Sequence, residues 1–183
     1  AFLSHDYDQG RRADERWIYF PARRQVRSIP ASKRGDSFLG TDFTYADIQS
    51  ELKFDLADWN FEYEGKGAID GRVQHRLSGT PRSPRIAREL GYGAFTALID
   101  EATWIPARID FFDARQQPLK TIEVPIIDRI DGIWTPRQVL ATNHRTGHST
   151  RFEFRDVAYP ASLRSDLFEP RSLERRLPDS DGD

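Results

Sequence analysis

The sequence predicts an α+β fold that is mostly β and is built on an antiparallel meander. Apolar and polar residues alternate over several stretches, which is typical of strands with one buried face. The connections between those stretches are short and carry the Gly, Asp and Asn residues of hairpin turns. Twelve Phe, six Tyr and four Trp supply enough apolar area for a core.

The first half of the chain is predicted to contain paired strands and two short helices. The helix over 43–52 has Asp42 or Thr44 as its cap, and Ile48 and Leu52 lie on one of its faces. The predicted elements are strands over 16–20 and 24–29, a loop over 31–41, the helix over 43–52, strands over 59–64 and 68–77 joined by a Gly-Lys-Gly turn at 65–67, and a helix over 82–90.

The second half has a more regular pattern and predicts five successive strands. In the last of them Phe152 and Phe154 face one way while Arg151, Glu153 and Arg155 face the other. The predicted strands cover 92–99, 105–112, 119–130, 133–143 and 150–159, and a closing helical turn covers 162–168. We therefore expect a single domain over 1–176, followed by a polar tail over 177–183.

Composition excludes several classes of protein. The net charge is −2, so no strong electrostatic attraction to nucleic acid is expected, although Arg23, Arg24, Arg27 and Arg34 lie close together. The chain has no Cys, which excludes disulfides and thiolate chemistry. No apolar run approaches the roughly 20 residues that a membrane-spanning helix needs.

Neither a metal centre nor an enzyme is predicted, and no cofactor is expected. His144 and His148 flank the turn HRTGH, but a zinc site needs three or four ligands and the sequence offers no third one nearby. The chain contains no G-x-S-x-G elbow, P-loop or dinucleotide-binding fingerprint. The alternating carboxylates Glu62 and Glu64 are explained by a solvated strand face.

Several ordered blocks resemble the LolA-like outer-membrane lipoprotein-sorting proteins, in particular their exporter-associated branch. The blocks are WIYFPARRQVRSI at 17–29, RGDSFLGTDFTYAD at 34–47, KT at 120–121, DGIWTP at 131–136, TGHST at 146–150 and LFEPRSLE at 167–174. Ala46 departs from this pattern, which usually has an acidic residue there. Because the chain begins inside the pattern, we expect it to lack the family's leader, first helix and opening strands.

The resemblance implies a half-open barrel, in which a curved antiparallel sheet wraps around a helical lid and an apolar cavity lies between them. It also implies a periplasmic carrier of the acyl chains of lipids or lipoproteins, with transient membrane contact and an inner-membrane RND-type exporter as partner. Two rival hypotheses remain: a ligand-free docking module of an envelope complex, and a hydrolase acting on lipid. The second rival requires a nucleophile and a base within hydrogen-bond reach.

Two groups of candidate site residues follow from the carrier hypothesis. Aromatic side chains are expected to hold the acyl chains: Trp17, Tyr19, Phe38, Phe43, Tyr45, Phe61, Tyr63, Phe95, Trp104, Phe111, Phe152 and Phe154. Alternation alone leaves open which of these line a cavity and which fill a core. Contact with a head group or a membrane partner is expected at Arg24, Arg27, Arg34 and Asp42, beside a gating loop over 32–42.

Overall fold

The computed structural model describes residues 1–7, 14–50, 52–69 and 71–174. The chain divides into two compact units, Ala1–Ala31 with Pro160–Asp183, and Ser32–Tyr159. The predicted polar tail over 177–183 lies outside the described residues. The single domain over 1–176 stays a prediction.

The first unit contains a three-stranded antiparallel sheet, formed by β1 (Phe2–His5), β2 (Glu15–Phe20) and β3 (Gln25–Ser28). The predicted pairing of 16–20 with 24–29 is confirmed, and Trp17 lies opposite Ser28. Arg24, with a φ of 47°, ends the short 3-10 helix that connects β2 with β3. Two further 3-10 helices, Ser165–Phe168 and Pro170–Glu174, belong to this unit, and His5 contacts the Phe168 carbonyl at 2.6 Å.

The second unit contains a curved sheet of seven antiparallel strands in the order β10-β9-β8-β7-β6-β5-β4. The predicted meander and the mostly β fold class with few helices are therefore confirmed, and the sheet is not closed into a barrel. The strands are β4 (Trp59–Ile69), β5 (Arg72–Pro81), β6 (Ala94–Asp100), β7 (Pro106–Phe112), β8 (Pro118–Ile130), β9 (Ile133–Asn143) and β10 (Ser149–Glu153). Strand β10 ends at Glu153, earlier than the predicted limit of 159.

The predicted turn at 65–67 is wrong. Strand β4 continues to Ile69, which lies opposite Arg72 on β5, so the chain reverses after Ile69. Gly65 instead forms an irregularity in the ladder after Tyr63, and its φ of +104° is a conformation that favours glycine. Glycine therefore marks a bulge in this strand rather than its end.

Both predicted helices of this unit are present but shorter than expected. Helix α1 covers Tyr45–Ser50, and helix α2 covers Pro84–Leu90. Ser83 caps α2 by accepting a hydrogen bond from the Ile86 amide at 3.2 Å, and Gly91 ends the helix in the left-handed conformation. The predicted limits extended into the capping residues, which is the usual error of a pattern-based assignment.

One face of the seven-stranded sheet carries the core, and we call it the inner face. Phe61, Gly79, Phe95, Phe111 and Lys120 lie side by side across β4 to β8 in the register of the strands. Residues 32–58, here named the covering segment, lie before β4 and include α1. The buried core joins residues of the covering segment, such as Phe43 and Ala46, with inner-face residues such as Phe95 and Ile122.

Candidate functional site

Aromatic side chains of the covering segment pack against the inner face at two widely separated points. Phe54 stacks on Phe95 of β6, with ring centroids 4.0 Å apart and planes 11° apart. Phe43 stacks on Phe152 of β10, with ring centroids 4.6 Å apart. The covering segment therefore extends over the sheet from β6 to β10. Such stacked pairs add about 0.5–1.5 kcal/mol each to the burial of the rings.

A small cavity lies between the covering segment and the inner face. Its volume is about 50 Å³, well below the roughly 300–1,000 Å³ of ordinary ligand pockets. The apolar part of its lining includes Leu52, Phe54, Trp59, Ile109, Phe111 and Ile122, and the polar part includes Arg34, Asp47 and Asp58. Side chains thus fill most of the space between the covering segment and the inner face.

A buried cluster of three polar side chains lies next to the cavity. Lys120 of β8 donates to the Asp47 carboxylate of α1 and to the Tyr92 hydroxyl. Tyr92 donates in turn to Asp47, with its hydroxyl 2.8 Å from Oδ1. The side chains of Lys120 and Asp47 are only 5% and 4% exposed. A buried ammonium needs such a partner, because transfer of an unpaired charge out of water is very unfavourable.

Neighbouring groups fix the protonation and the orientation of this cluster. Burial raises the pKa of Tyr92 well above its ordinary value, and the nearby Asp47 carboxylate raises it further. Tyr92 therefore stays a neutral hydroxyl that can donate. Asp47 accepts from the Thr44 amide at 2.6 Å while the Thr44 hydroxyl accepts from the Asp47 amide at 3.2 Å. This reciprocal cap at the start of α1 holds the carboxylate toward Lys120.

A second ion pair joins the two ends of the covering segment. Arg34 donates to both oxygens of Asp58, and its Nη1 lies 3.3 Å from Oδ1. Burial acts to lower the pKa of Arg34, but the hydrogen bond and charge of Asp58 outweigh it and raise the pKa. The Arg34 Nε is buried with no hydrogen-bond partner within residues 1–7, 14–50, 52–69 and 71–174. Arg34 thus fixes the shape of the covering segment.

A third polar contact joins the covering segment to β10. Asp42 accepts from the Thr150 hydroxyl at 2.7 Å, and the same hydroxyl accepts from the Asp42 amide at 3.0 Å. Nδ1 of His148 lies 2.6 Å from the Asp42 carboxylate. The Asp42 side chain is 7% exposed, whereas that of His148 is 67% exposed, so this contact lies at the rim of the sheet.

The strand register places another polar cluster on the opposite side of the sheet. The Thr121 hydroxyl lies 2.6 Å from Asp110 Oδ1 and 2.7 Å from His144 Nε2. A hydroxyl and an imidazole are therefore within hydrogen-bond reach, as a hydrolase requires. However, Thr121 is only 3% exposed. Its hydroxyl proton is donated to Asp110, so His144 Nε2 has to donate to the Thr121 oxygen and is not placed to accept the proton as a base. We assign this cluster a structural role.

The predicted acyl-binding aromatic residues lie in different parts of the structure. Trp17 and Tyr19 lie on β2 in the first unit, where Trp17 contacts the ring of His5. Phe38, Phe43 and Tyr45 belong to the covering segment, and Phe38 packs edge-on against Tyr45. The inner-face strands carry Phe61, Tyr63, Phe95, Phe111 and Phe152. Trp104 and Phe154 are 68% and 46% exposed.

The predicted contact residues are likewise separated. Arg24 and Arg27 lie in the first unit, exposed to solvent, and Arg27 donates to Gln25 at 2.9 Å. Arg34 and Asp42 lie in the covering segment, where each makes the contact already described. His144 and His148 also have different partners, and the described parts of the chain contain no group of three or more His, Cys, Asp or Glu arranged for a metal.

The residues of this site that sequence reasoning missed include Asp47, Phe54, Asp58, Tyr92 and Lys120. Lys120 lies at an inward-facing position of β8, next to buried Phe111 of β7, and such a position ordinarily carries an apolar side chain. A lysine there signals a buried partner. The sequence could not name that partner, because Asp47 precedes Lys120 by 73 residues.

Comparison with known proteins identifies the family. A family model, described as that of an uncharacterized protein, matches residues 1–175. The chain belongs to that family. Its resemblance to LolA-like outer-membrane lipoprotein-sorting proteins is confirmed by solved structures. No curated protein sequence matches the chain significantly.

Three solved structures share the fold. A domain from Vibrio parahaemolyticus named for outer membrane lipoprotein sorting has a TM-score of 0.81 and 26% identity, over 95% of this chain and 71% of that chain. A DUF1329 family protein from Desulfovibrio piger has a TM-score of 0.82 and 27% identity, over 94% and 70% of the two chains. A LolA superfamily protein from Nitrosomonas europaea shares the fold alone. Its TM-score is 0.61 and its identity 17%, over 87% of this chain and 68% of that chain.

The helices of this chain were compared with the length and hydropathy that a membrane span requires. Over the part of the chain that the structure describes, none is both long enough and apolar enough to cross a bilayer.

Proposed function

We propose that this protein is a carrier that binds the acyl chains of lipids or lipoproteins between the covering segment and the inner face. One observation carries the proposal: within the described residues of 32–159, the apolar inner face of an open sheet is covered by the covering segment, and helix α2 adds Ile86 and Leu90 to the same core. The aromatic contacts Phe54–Phe95 and Phe43–Phe152 occupy the surface that an acyl chain would use. The relative from Vibrio parahaemolyticus, named for lipoprotein sorting, supports the same function.

Such a carrier has to keep the acyl chain out of water. Exposure of each methylene group to water costs about 0.8 kcal/mol, so a long acyl chain does not cross an aqueous compartment unaided at a useful rate. The cavity of about 50 Å³ does not have room for a long chain. Binding therefore requires the covering segment to move away from the inner face, and the acyl chain then replaces its aromatic side chains.

The location and the partner belong to the same proposal. A protein that carries acyl chains toward an outer membrane works in the periplasm, exchanges cargo by transient contact with a membrane, and needs a donor in the inner membrane. An RND-type exporter is the donor that we propose, by analogy with the resembling family. Transfer of this kind uses binding and release and needs no covalent chemistry.

A second candidate function is a ligand-free docking module of an envelope complex. The small cavity favours this candidate, because a docking module needs a filled core and no space for a ligand. The two functions differ in one property that can be measured. A carrier takes up an acyl chain when the covering segment moves, whereas a docking module remains empty under all conditions.

Native mass spectrometry of the protein purified from its own periplasm, followed by organic extraction, tests the proposal. The carrier predicts a stoichiometric acylated species in the native spectrum and the same species in the extract. Uptake of a fluorescent acyl probe by the delipidated protein is the second readout. A protein that is empty when isolated and also fails to bind the probe contradicts the carrier and supports the docking module.

A further inference from the structure

We propose that Lys120 and Tyr92 form a site for the carboxylate of a fatty acid, and that Asp47 occupies this site when the covering segment is closed. This inference rests on the proposed acyl-carrier function and names the class of its ligand. Lys120 brings a charged side chain into a row of the inner face whose neighbouring positions carry Phe95 and Phe111.

The geometry around the Asp47 carboxylate is that of a bound anion. Lys120 donates to Oδ2, and the Tyr92 hydroxyl lies 2.8 Å from Oδ1 and 3.1 Å from Oδ2. Two side-chain donors, one charged and one neutral, thus converge on a buried carboxylate that also accepts from the Thr44 amide. Hydrogen bonds between ionised groups are stronger than those between neutral groups, and exclusion of water strengthens them further.

The two donors and the acceptor belong to different parts of the fold. Lys120 lies on β8, and Tyr92 lies two residues before β6 begins, so both stay with the sheet. Asp47 lies on α1, within the covering segment that must move when a ligand binds. Movement of α1 therefore leaves Lys120 without its counter-ion, against the rings of Tyr92 and Phe111, whose centroids are 4.9 Å and 5.4 Å from Nζ.

A ligand carboxylate takes the place of the Asp47 carboxylate that has moved away. An unpaired ammonium among aromatic rings is costly, and an incoming carboxylate restores both hydrogen bonds. The cavity next to the cluster is lined by Tyr92 and Asp47 together with apolar residues such as Phe111 and Ile122. An amphiphile with its head group at Lys120 would thus place its tail along the apolar lining. This arrangement favours a fatty acid over a neutral ester of the same chain length.

The test compares palmitic acid with methyl palmitate, each displacing a neutral fluorescent acyl ester from the full chain. We expect the acid to bind at least about tenfold more tightly, which is the effect of one buried charge-assisted hydrogen bond. The double variant Asp47→Asn/Lys120→Met removes both charges together, so that no unpaired charge is left to unfold the protein. It is expected to bind acid and ester equally.

A matched control is Lys66→Met, which removes an exposed lysine whose Nζ lies 3.4 Å from Glu101. It should keep the full preference for the acid. Equal binding of acid and ester by the wild-type protein would overturn the carboxylate site while leaving the acyl carrier intact. A preference that persists in the double variant would also overturn it. Failure of both ligands to bind would instead refute the proposed function itself.

Discussion

Gly79 on β5 lies directly beneath the ring of Phe95 on β6. A Cβ atom at position 79 would stand 2.2 Å from Cε1 of that ring, which no real contact allows. The absence of a side chain therefore lets Phe95 lie across the neighbouring strand, where Phe54 of the covering segment stacks on it. The place where the segment meets the sheet thus depends on one glycine.

Substitution of Gly79 by Ala is expected to displace the Phe95 ring and to lower the free energy of unfolding by about 1–3 kcal/mol, the usual effect of overpacking. Urea denaturation measures the change. Gly67→Ala on the neighbouring strand is the control, because its Cβ would meet no atom within 4 Å. Equal stabilities of the two variants would contradict the close approach described above.

Removal of the Phe54 ring is expected to loosen the covering segment. The variant Phe54→Ala loses the stacked contact with Phe95 and should be about 1–3 kcal/mol less stable, as for a partly buried aromatic. Hydrogen exchange measured by mass spectrometry should become faster over 32–58 and remain unchanged in β8 and β9. Leu56→Ala in the same segment is the control, since Leu56 is 61% exposed. Slow exchange in Phe54→Ala would show that this ring does not hold the segment.

The Asp47–Lys120 pair should show strong energetic coupling. Each single variant, Asp47→Asn or Lys120→Met, leaves one buried charge without its partner and is expected to lower the free energy of unfolding by about 3–5 kcal/mol. The double variant removes both charges and should be less destabilised than the sum of the two. A double-mutant cycle in urea measures this coupling. Additive effects would mean that the two side chains do not interact in solution.

Acid should destabilise the protein partly through Asp100, which is only 2% exposed. Burial acts to raise the pKa of Asp100, but hydrogen bonds from Thr103 and Arg72 outweigh burial and lower the pKa below its ordinary value. The folded state therefore holds the ionised carboxylate more strongly than the unfolded chain does. This stabilisation is present above the unfolded pKa, near pH 4, and is lost as the pH falls through the lower folded pKa.

Asp100→Asn tests this origin of the acid sensitivity. The variant should be less stable than the wild type at pH 7, and its stability should fall less steeply below about pH 4 because it lacks the titrating group. Urea denaturation at several pH values gives both curves. Parallel curves for the two proteins would assign the acid sensitivity to other carboxylates, among them Asp110, whose pKa is also lowered.

The sequence predicts the strands of this fold better than it predicts the site. Alternation identifies which side chains of β7 and β8 share a face, because the period of two is fixed by the backbone. It does not reveal that Lys120, on the same face as Phe111, contacts Asp47, since that contact depends on where helix α1 lies over the sheet. Phe54 was missed for a similar reason: it is a single aromatic between Lys53 and Asp55, with no periodic pattern around it.

Two glycines led to a wrong prediction of a turn, and a third has a packing role that the sequence did not indicate. Gly65 and Gly67 predicted a turn, yet β4 continues through both of them to Ile69. Gly79 lies near the end of β5, where its importance comes from the ring of Phe95 on the next strand rather than from its own backbone. Local sequence therefore cannot distinguish a glycine that ends a strand from one that accommodates a neighbour.

The most direct test of the acyl-carrier proposal is to lock the covering segment onto the sheet. The chain has no cysteine, so the variant Asp42→Cys/Thr150→Cys introduces a single disulfide between two positions whose side chains already touch at 2.7 Å. We expect the oxidised protein to fail to take up a fluorescent acyl probe and reduction to restore uptake, while Asp42→Cys alone binds the probe in both states. Equal uptake by the oxidised and reduced double variant would contradict the claim that acyl chains enter beneath the covering segment.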